Sequence, residues 1–250
     1  MLVSHNHNRL DLEHQIDILA FTAHPDDAEL ACSGTLLLHK QRGHKIGIVD
    51  LTEGELGTRG TPEIRKQESD ASSQILNLDV RENLKLADGF FNQTEESLKK
   101  VIYAIRKYRP RIVLANAVSD RHPDHGNGAA LVSRAFFLSG LVKIETFDNG
   151  QLQEPWRPEN IYHYIQFRHI KPDFVIDVSD VWDKKMEAIQ AFKSQFFDPA
   201  SDEPKTLISS KKFLNYIEAR HKEFGAAIEV PYGEGFTVER PLNVQDITSV

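Results

Sequence analysis

Short apolar runs alternate along the chain with longer stretches of helical periodicity. Residues 16–23 (IDILAFTA) and 45–52 (KIGIVDLT) are nearly continuous in hydrophobicity, as expected of strands buried on both faces. Pro25, Asp26 and Asp27 follow the first run, and two acidic residues suit the first turn of a helix. Residues 28–41 read as that helix, ending at Gly43. Residues 53–62 hold three glycines and no period, so they read as loop. A helix is predicted over 63–76 and a short strand over 80–86. Residues 94–108 give a clear amphipathic helix, with Thr94 as N-cap, Leu98, Val101, Ile102 and Ile105 on one face, and Pro110 beyond its end. A further buried strand (111–116, RIVLAN), a loop (117–123) and a helix (124–139, ending at Gly140) follow.

Strand–helix alternation predicts an α/β fold with a doubly wound, mostly parallel sheet and helices on both faces. Beyond Lys143 the pattern loosens. Strands are predicted near 161–167 and 173–178, and helices near 181–197 and 207–224. The Gly-rich, aromatic segment 232–238 is expected to pack back near a site or interface. There is no internal repeat, low-complexity tract or clear linker. The expectation is a polar extension over 1–15, one domain over 16–240 and a tail over 241–250.

Composition narrows the class. The 250 residues are 40% hydrophobic and 27% charged, and no run approaches the roughly 18–20 apolar residues of a membrane helix. The first 15 residues lack the apolar core of a secretory signal, and the single cysteine, Cys32, excludes an internal disulfide framework. A cytoplasmic setting is expected. A net charge of −7 argues against nucleic acid or an anionic membrane as partner and leaves room for a local basic pocket.

Two segments then stand out: Ala23-His24-Pro25-Asp26-Asp27 and Arg121-His122-Pro123-Asp124-His125. Each lies just after a predicted buried strand and at the start of a helix. Open α/β sheets bind ligands beyond the carboxyl ends of their strands, so both face one crevice if the strands are neighbours. A lone His-Pro-Asp is ordinarily a turn with a capping carboxylate; two copies at two such junctions are harder to ascribe to turn chemistry. Imidazole and carboxylate suit zinc and related divalent ions, and a catalytic zinc takes about three protein ligands. His24 and Asp27, three residues apart, can be aimed at one ion, with a third ligand from the second segment. The remaining groups could then move protons or stabilise an oxyanion. The residues therefore point to metal-assisted hydrolysis, without separating hydrolase from lyase or phosphatase.

The same residues resemble the PIG-L/LmbE-like zinc deacetylases of N-acetylglucosaminyl conjugates. The resemblance runs from about Ile16 to about Phe236 and includes Leu51 to Thr61, Glu63-Ile64-Arg65, Asp120-Arg121 and Glu234-Gly235-Phe236. The loop similarities look most like the branch that deacetylates N-acetylglucosaminyl-malate in bacillithiol biosynthesis. The resemblance implies His24, Asp27 and His125 as metal ligands and Asp26 as general base. It implies His122 as the oxyanion-stabilising imidazolium, with Asp124 orienting and charging it. Arg65 is implied as a substrate contact, with Arg59 and Arg121 as further anion-binding candidates. Zinc is the implied metal, with iron(II) or another divalent ion an alternative, and a homo-oligomer, as large as a hexamer, the implied assembly. The competing readings are the same chemistry on an inositol-linked, lipid-linked or chitooligosaccharide substrate, and a non-catalytic sugar-binding module. The first strand–helix turn lacks G-x-G-x-x-G, which argues against a dinucleotide.

Other conspicuous residues have plainer explanations. His5, His7 and His14 read as a solvated tail, Cys32 as a small buried hydrophobe, His163 and His169 as core or surface groups, and Tyr162, Tyr164 and Phe167 as packing. Asp177 or Asp180 could support a ligand from behind.

Overall fold

A computed structural model describes residues 15–249, so the N-terminal His5, His7 and His14 lie outside the described residues. In chain order the elements are β1 (Ile18–Thr22), α1 (Asp27–Ala31), α2 (Ser33–Gln41), β2 (Ile46–Thr52), α3 (Pro62–Leu76), β3 (Val80–Leu86), α4 (Glu95–Tyr108), β4 (Ile112–Ala115) and α5 (Pro123–Leu138). A small hairpin, β5 (Phe147–Asp148) with β6 (Gln151–Leu152), precedes β7 (Asn160–Tyr164), β8 (Phe174–Asp177), α6 (Trp182–Gln190), α7 (Lys211–Ala226) and β9 (Gly233–Val238).

The main sheet has seven strands in the order β3-β2-β1-β4-β7-β9-β8. The first five run parallel, and β9 is antiparallel to both of its neighbours. This is the expected doubly wound α/β sheet. Every residue of β1 and β2 is buried, because helices cover both faces. Leu19, Phe21, Val49 and Leu51 pack with α4 and α5 through Val101, Ile102, Ile105 and Leu131. Ile18, Ala20, Ile46 and Ile48 point the other way, toward Leu36, Leu37, Leu76 and Ala188. A third cluster joins Trp182, Ile189 and Phe192 to Phe213 and Ile217 of α7. Thr94 caps α4 as expected, accepting from Ser97 N at 3.2 Å. Among the described residues no helix is long and apolar enough to cross a membrane.

Two expectations need correction. The helix predicted over 28–41 is two helices, broken at Cys32, whose φ of −141° is not helical. The cause is remote in sequence. Glu234 inserts its carboxylate at the start of α2 and accepts from Gly34 N at 2.9 Å and Thr35 N at 2.7 Å, satisfying two amides that a continuous helix would have used internally. The helix predicted over 181–197 ends at Gln190, leaving Phe192 and Phe196 to fill the third cluster from irregular backbone. Segment 232–238, for which no strand was predicted, supplies β9 between β7 and β8. Its glycines permit this: a Cβ on Gly233 would lie 2.6 Å from Val175 Cγ1 and 2.9 Å from Gly225 N.

Glu234 is itself held by Lys185. Both side chains are fully buried, and Lys185 Nζ lies 2.8 Å from Glu234 Oε1, 2.9 Å from Glu29 O and 3.1 Å from Leu30 O. Removing one member of a buried pair strands the other charge, at about 3–5 kcal/mol. Lys185→Met is expected to lose stability of that order in denaturant titrations. A loss below about 1 kcal/mol would show that the pair does not anchor the α1–α2 break.

Candidate metal centre

β1 and β4 are adjacent, and the chain leaves them toward opposite sides of the sheet, β2 and β3 on one side and β7 on the other. That is the topological switch point, where a crevice opens at the strands' carboxyl ends. Both His-Pro-Asp segments meet there. In the first, Asp27 Oδ2 accepts from His24 N at 3.0 Å and closes the turn. Asp26 takes φ 119°, a region costly for a residue with a side chain. Arg65, from the first turns of α3, holds that conformation. Its Nη2 lies 2.5 Å from Pro25 O and 3.2 Å from Asp26 Oδ2, and its Nη1 is 3.2 Å from Gly54 O. In the second segment His122 is the N-cap of α5, with Nδ1 accepting from Asp124 N at 3.3 Å.

The three imidazoles converge. One nitrogen each of His24, His122 and His125 lies within 4.8 Å of the other two. Asp27 stands beside this set and meets two of its members, with Oδ2 3.7 Å from His24 Nδ1 and Oδ1 3.1 Å from His125 Nε2. Donors on one tetrahedral zinc stand about 3.3–3.6 Å apart, given bonds of about 2.0–2.2 Å. His24 and His125 are each backed by carboxylates on their other nitrogen. His24 Nε2 is 3.1 Å from Asp88 Oδ1 and 3.3 Å from Asp124 Oδ2, and His125 Nδ1 is 2.5 Å from Asp120 Oδ2. A carboxylate on one nitrogen fixes the ring and frees the other nitrogen for a ligand, the usual support of a metal-binding histidine. The donor set therefore fits a divalent ion of the zinc type. His24, Asp88 and Asp124 form a second close trio, sharing His24 with the first.

Burial and charge act in opposite directions here. Burial disfavours the His24 imidazolium, but Asp124, Asp88 and Asp27 outweigh it and push the group up to about 10. His125 likewise rises to about 9 against burial, through Asp27 and Asp120. Burial raises the Asp27 carboxyl, yet His125 and His24 hold it well below the usual range. Asp26 goes the other way. Burial raises it to about 7, more than Arg65 lowers it. His122 is lowered by burial and by the neighbouring His24 and His125.

The arginines and Asp124 sit differently from the roles that the resemblance implies. Arg59, Arg65 and Arg121 all line one cavity of about 370 Å3 with His24, Asp26, Asp27, His122 and His125. Arg59 is engaged by Glu203 Oε2 at 3.1 Å and Ser201 Oγ at 2.7 Å, and Arg65 by Asp26. Arg121 is exposed, with its guanidinium carbon 5.3 Å from the centre of the Phe167 ring. The Asp124 carboxylate lies on His24 and on Gly89 N at 2.8 Å, not on His122, which it meets through its backbone amide because His122 caps the helix. Phe167 lines the cavity as well as packing. Tyr164 is core, with its hydroxyl on Phe21 O, and Asp177 turns to Ser179. Cys32 is buried, and His163 is buried between Asn116 O and Glu239.

Sequence reasoning missed Asp88, Asn116 and Gln166. Asn116 Nδ2 donates to Asp27 Oδ2 at 3.0 Å and Gln166 Nε2 to Asp27 Oδ1 at 2.9 Å. All three follow strand ends, β3, β4 and β7, and that position in an open sheet was the available signal.

An open α/β sheet with a His/Asp cluster at its switch point defines the class, a Rossmann-like protein with a candidate metal centre. The family model described as GlcNAc-PI de-N-acetylase (PIG-L) matches residues 19–136. The crystal structure of the conserved protein TT1542 from Thermus thermophilus is similar at 35% identity and a TM-score of 0.81, covering 92% of this chain and 97% of that one. Diacetylchitobiose deacetylase of Thermococcus kodakarensis is 29% identical over 72% of this chain and 70% of its own. A 4-oxalmesaconate hydratase of Pseudomonas putida is 25% identical over 72% and 74%. Residues 19–136 are thus a PIG-L family domain.

Gly54 tests how the Asp26 segment is held. Its φ is +67°, and a Cβ there would collide with Arg65 Nη1. Gly54→Ala is expected to cost about 1–3 kcal/mol in thermal or denaturant unfolding. An unchanged midpoint would mean that the loop and Arg65 yield freely.

Proposed function

We propose that the protein is a zinc-type, metal-dependent N-deacetylase that hydrolyses the acetamide of an N-acetylglucosamine conjugate. One observation carries the reading. Two carboxylate-backed imidazoles aim their free nitrogens at Asp27, while the neighbouring Asp26 lines the same cavity, held by Arg65 and not by the histidines. Family membership and the deacetylase relative support it.

In this reading His24, Asp27 and His125 hold the ion. When bound, such an ion polarises a carbonyl and acidifies a neighbouring water. Asp26 takes the proton of the attacking water and passes it to the amine nitrogen as the C–N bond breaks, so that acetate and a free amine leave. His122 has its Nδ1 lone pair occupied by Asp124 N, so Nε2 carries the proton and donates to the developing oxyanion. Asp88 and Asp124 fix His24, Asp120 fixes His125, and Arg65 positions Asp26.

The finer form of the reading, with L-malate as aglycone, comes from the loop resemblance. Two carboxylates call for cations, and guanidinium forks suit them. Of the three candidate arginines only Arg121 is uncommitted, with Arg59 held by Glu203 and Arg65 by Asp26, so this finer form has one guanidinium for two carboxylates.

Asp26→Asn is expected to lower acetate release from an N-acetylated glucosaminide by about 10²–10⁴-fold with metal content retained. Normal turnover would remove Asp26 as base. Elemental analysis separates the ligand sets: His24→Ala and His125→Ala lose the ion, and His122→Ala keeps it. Loss from all three would put His122 among the ligands. Metal-replete protein that releases no acetate from any such sugar would leave a hydratase-type reaction as the better reading.

A further inference from the structure

The cavity has two unlike walls. One is the polar cluster. The other is built from Leu30 of α1, Phe167 beyond β7, Leu207 and Ile208 before α7, and Phe213 and Ile217 of α7. Leu30, Phe167, Ile208, Phe213 and Ile217 belong to the packed cluster around Trp182 and Phe192, so this wall is anchored in the protein interior. At its rim the apolar surface is left open. Leu207 is 51% exposed, and Leu56, which also lines the cavity, is 61% exposed. Apolar side chains gathered at a cavity and open to water mark surface that a ligand can cover.

The charges argue the same way. Four arginines line the cavity. Arg59 is held by Glu203, Arg65 by Asp26, and Arg220 by the backbone carbonyls of Gln166, Phe167 and Arg168. Arg121 lies over Phe167 with no carboxylate partner among the described residues. Asp26, Asp27, Asp88 and Asp120 line the same space. Each of these carboxylates is paired, Asp26 with Arg65, Asp27 and Asp120 with His125, and Asp88 with His24, so among the cavity's arginines a dicarboxylate would find one uncommitted guanidinium to meet it. A volume of about 370 Å3 is near the low end of small-molecule sites, about 300–1,000 Å3, and suits one sugar with a short appendage.

We infer that the conjugate is an uncharged N-acetylglucosaminide whose aglycone is an apolar group of several carbons, laid against Leu207, Ile208 and Phe213. The inference rests on the deacetylase reading above. It is tested with metal-replete protein on the methyl, butyl and hexyl N-acetylglucosaminides of both anomers and on N-acetylglucosaminyl-malate, with acetate release as the readout. The hexyl compound is expected to exceed the methyl compound in kcat/KM by about tenfold or more, since each added methylene buried against the wall strengthens binding. The malate conjugate is expected to fall below the methyl compound. Leu207→Glu, a change at a half-exposed position, is expected to bring the hexyl-to-methyl ratio toward one. Turnover of the methyl compound with no gain along the series overturns the aglycone assignment and leaves the deacetylase standing. So does a preference for the malate conjugate that Arg121→Ala removes. Absence of acetate from every sugar, with metal bound, overturns the deacetylase reading and this inference with it.

Discussion

The Asp27 carboxylate is the point on which the crevice depends. It accepts from His24 N after β1, from Asn116 after β4 and from Gln166 after β7, and it meets His125 of α5. Three strand ends and a helix start are tied to two oxygens. A carboxylate buried to this degree is tolerated only when its lone pairs are occupied and opposite charge is near. The same contacts that make Asp27 bearable in the interior also gather the imidazoles. Stability and candidate chemistry are therefore supplied by one set of bonds, and neither can be altered without the other.

Around that point the protein carries several costs. Asp26 is held at φ 119° by Arg65, whose Nε is buried without a partner. Arg81 lies between Glu29 and Asp50, its Nη1 2.6 Å from Glu29 Oε1 and its Nε 2.9 Å from Asp50 Oδ2, beneath the sheet's carboxyl edge. Buried ion pairs contribute little net stability compared with apolar packing. Their concentration under the crevice places α1 and β2 by charge where shape alone would leave more freedom. Apolar packing of the two sheet faces offsets these terms.

Most of the architecture was legible because its determinants are local. The apolar runs of β1, β2 and β4 and the capped, amphipathic α4 state their own conformation. The two His-Pro-Asp segments were legible because a repeated motif at two strand ends has few structural explanations. What escaped was set by partners far away. The break at Cys32 needs Glu234, and β9 was unrecognised because its two glycines are there to admit α7, not to satisfy strand propensity. Asp88 and Gln166 belong to no motif and acquire their roles only when β3 and β7 are seen to end beside β1 and β4. The arginines show a different limit. The resemblance implied a substrate contact for Arg65 and anion binding for Arg59 and Arg121, and the carboxylates that occupy Arg59 and Arg65 could not be read from the sequence.

The contact between Glu234 and the start of α2 spans 200 residues of chain. On a ribosome the amino-terminal half, β1 through β4, emerges with its local pairings available, yet α2 lacks the carboxylate that meets its first amides. Lys185 arrives later, with its counter-charge still unsynthesised. β9 must then insert between β7 and β8, closing the sheet last. Contacts of such high sequence separation form slowly and leave partly assembled intermediates exposed. The crevice in this chain thus becomes complete only when synthesis is nearly finished, so a nascent fragment holding both histidine motifs would still lack its finished frame.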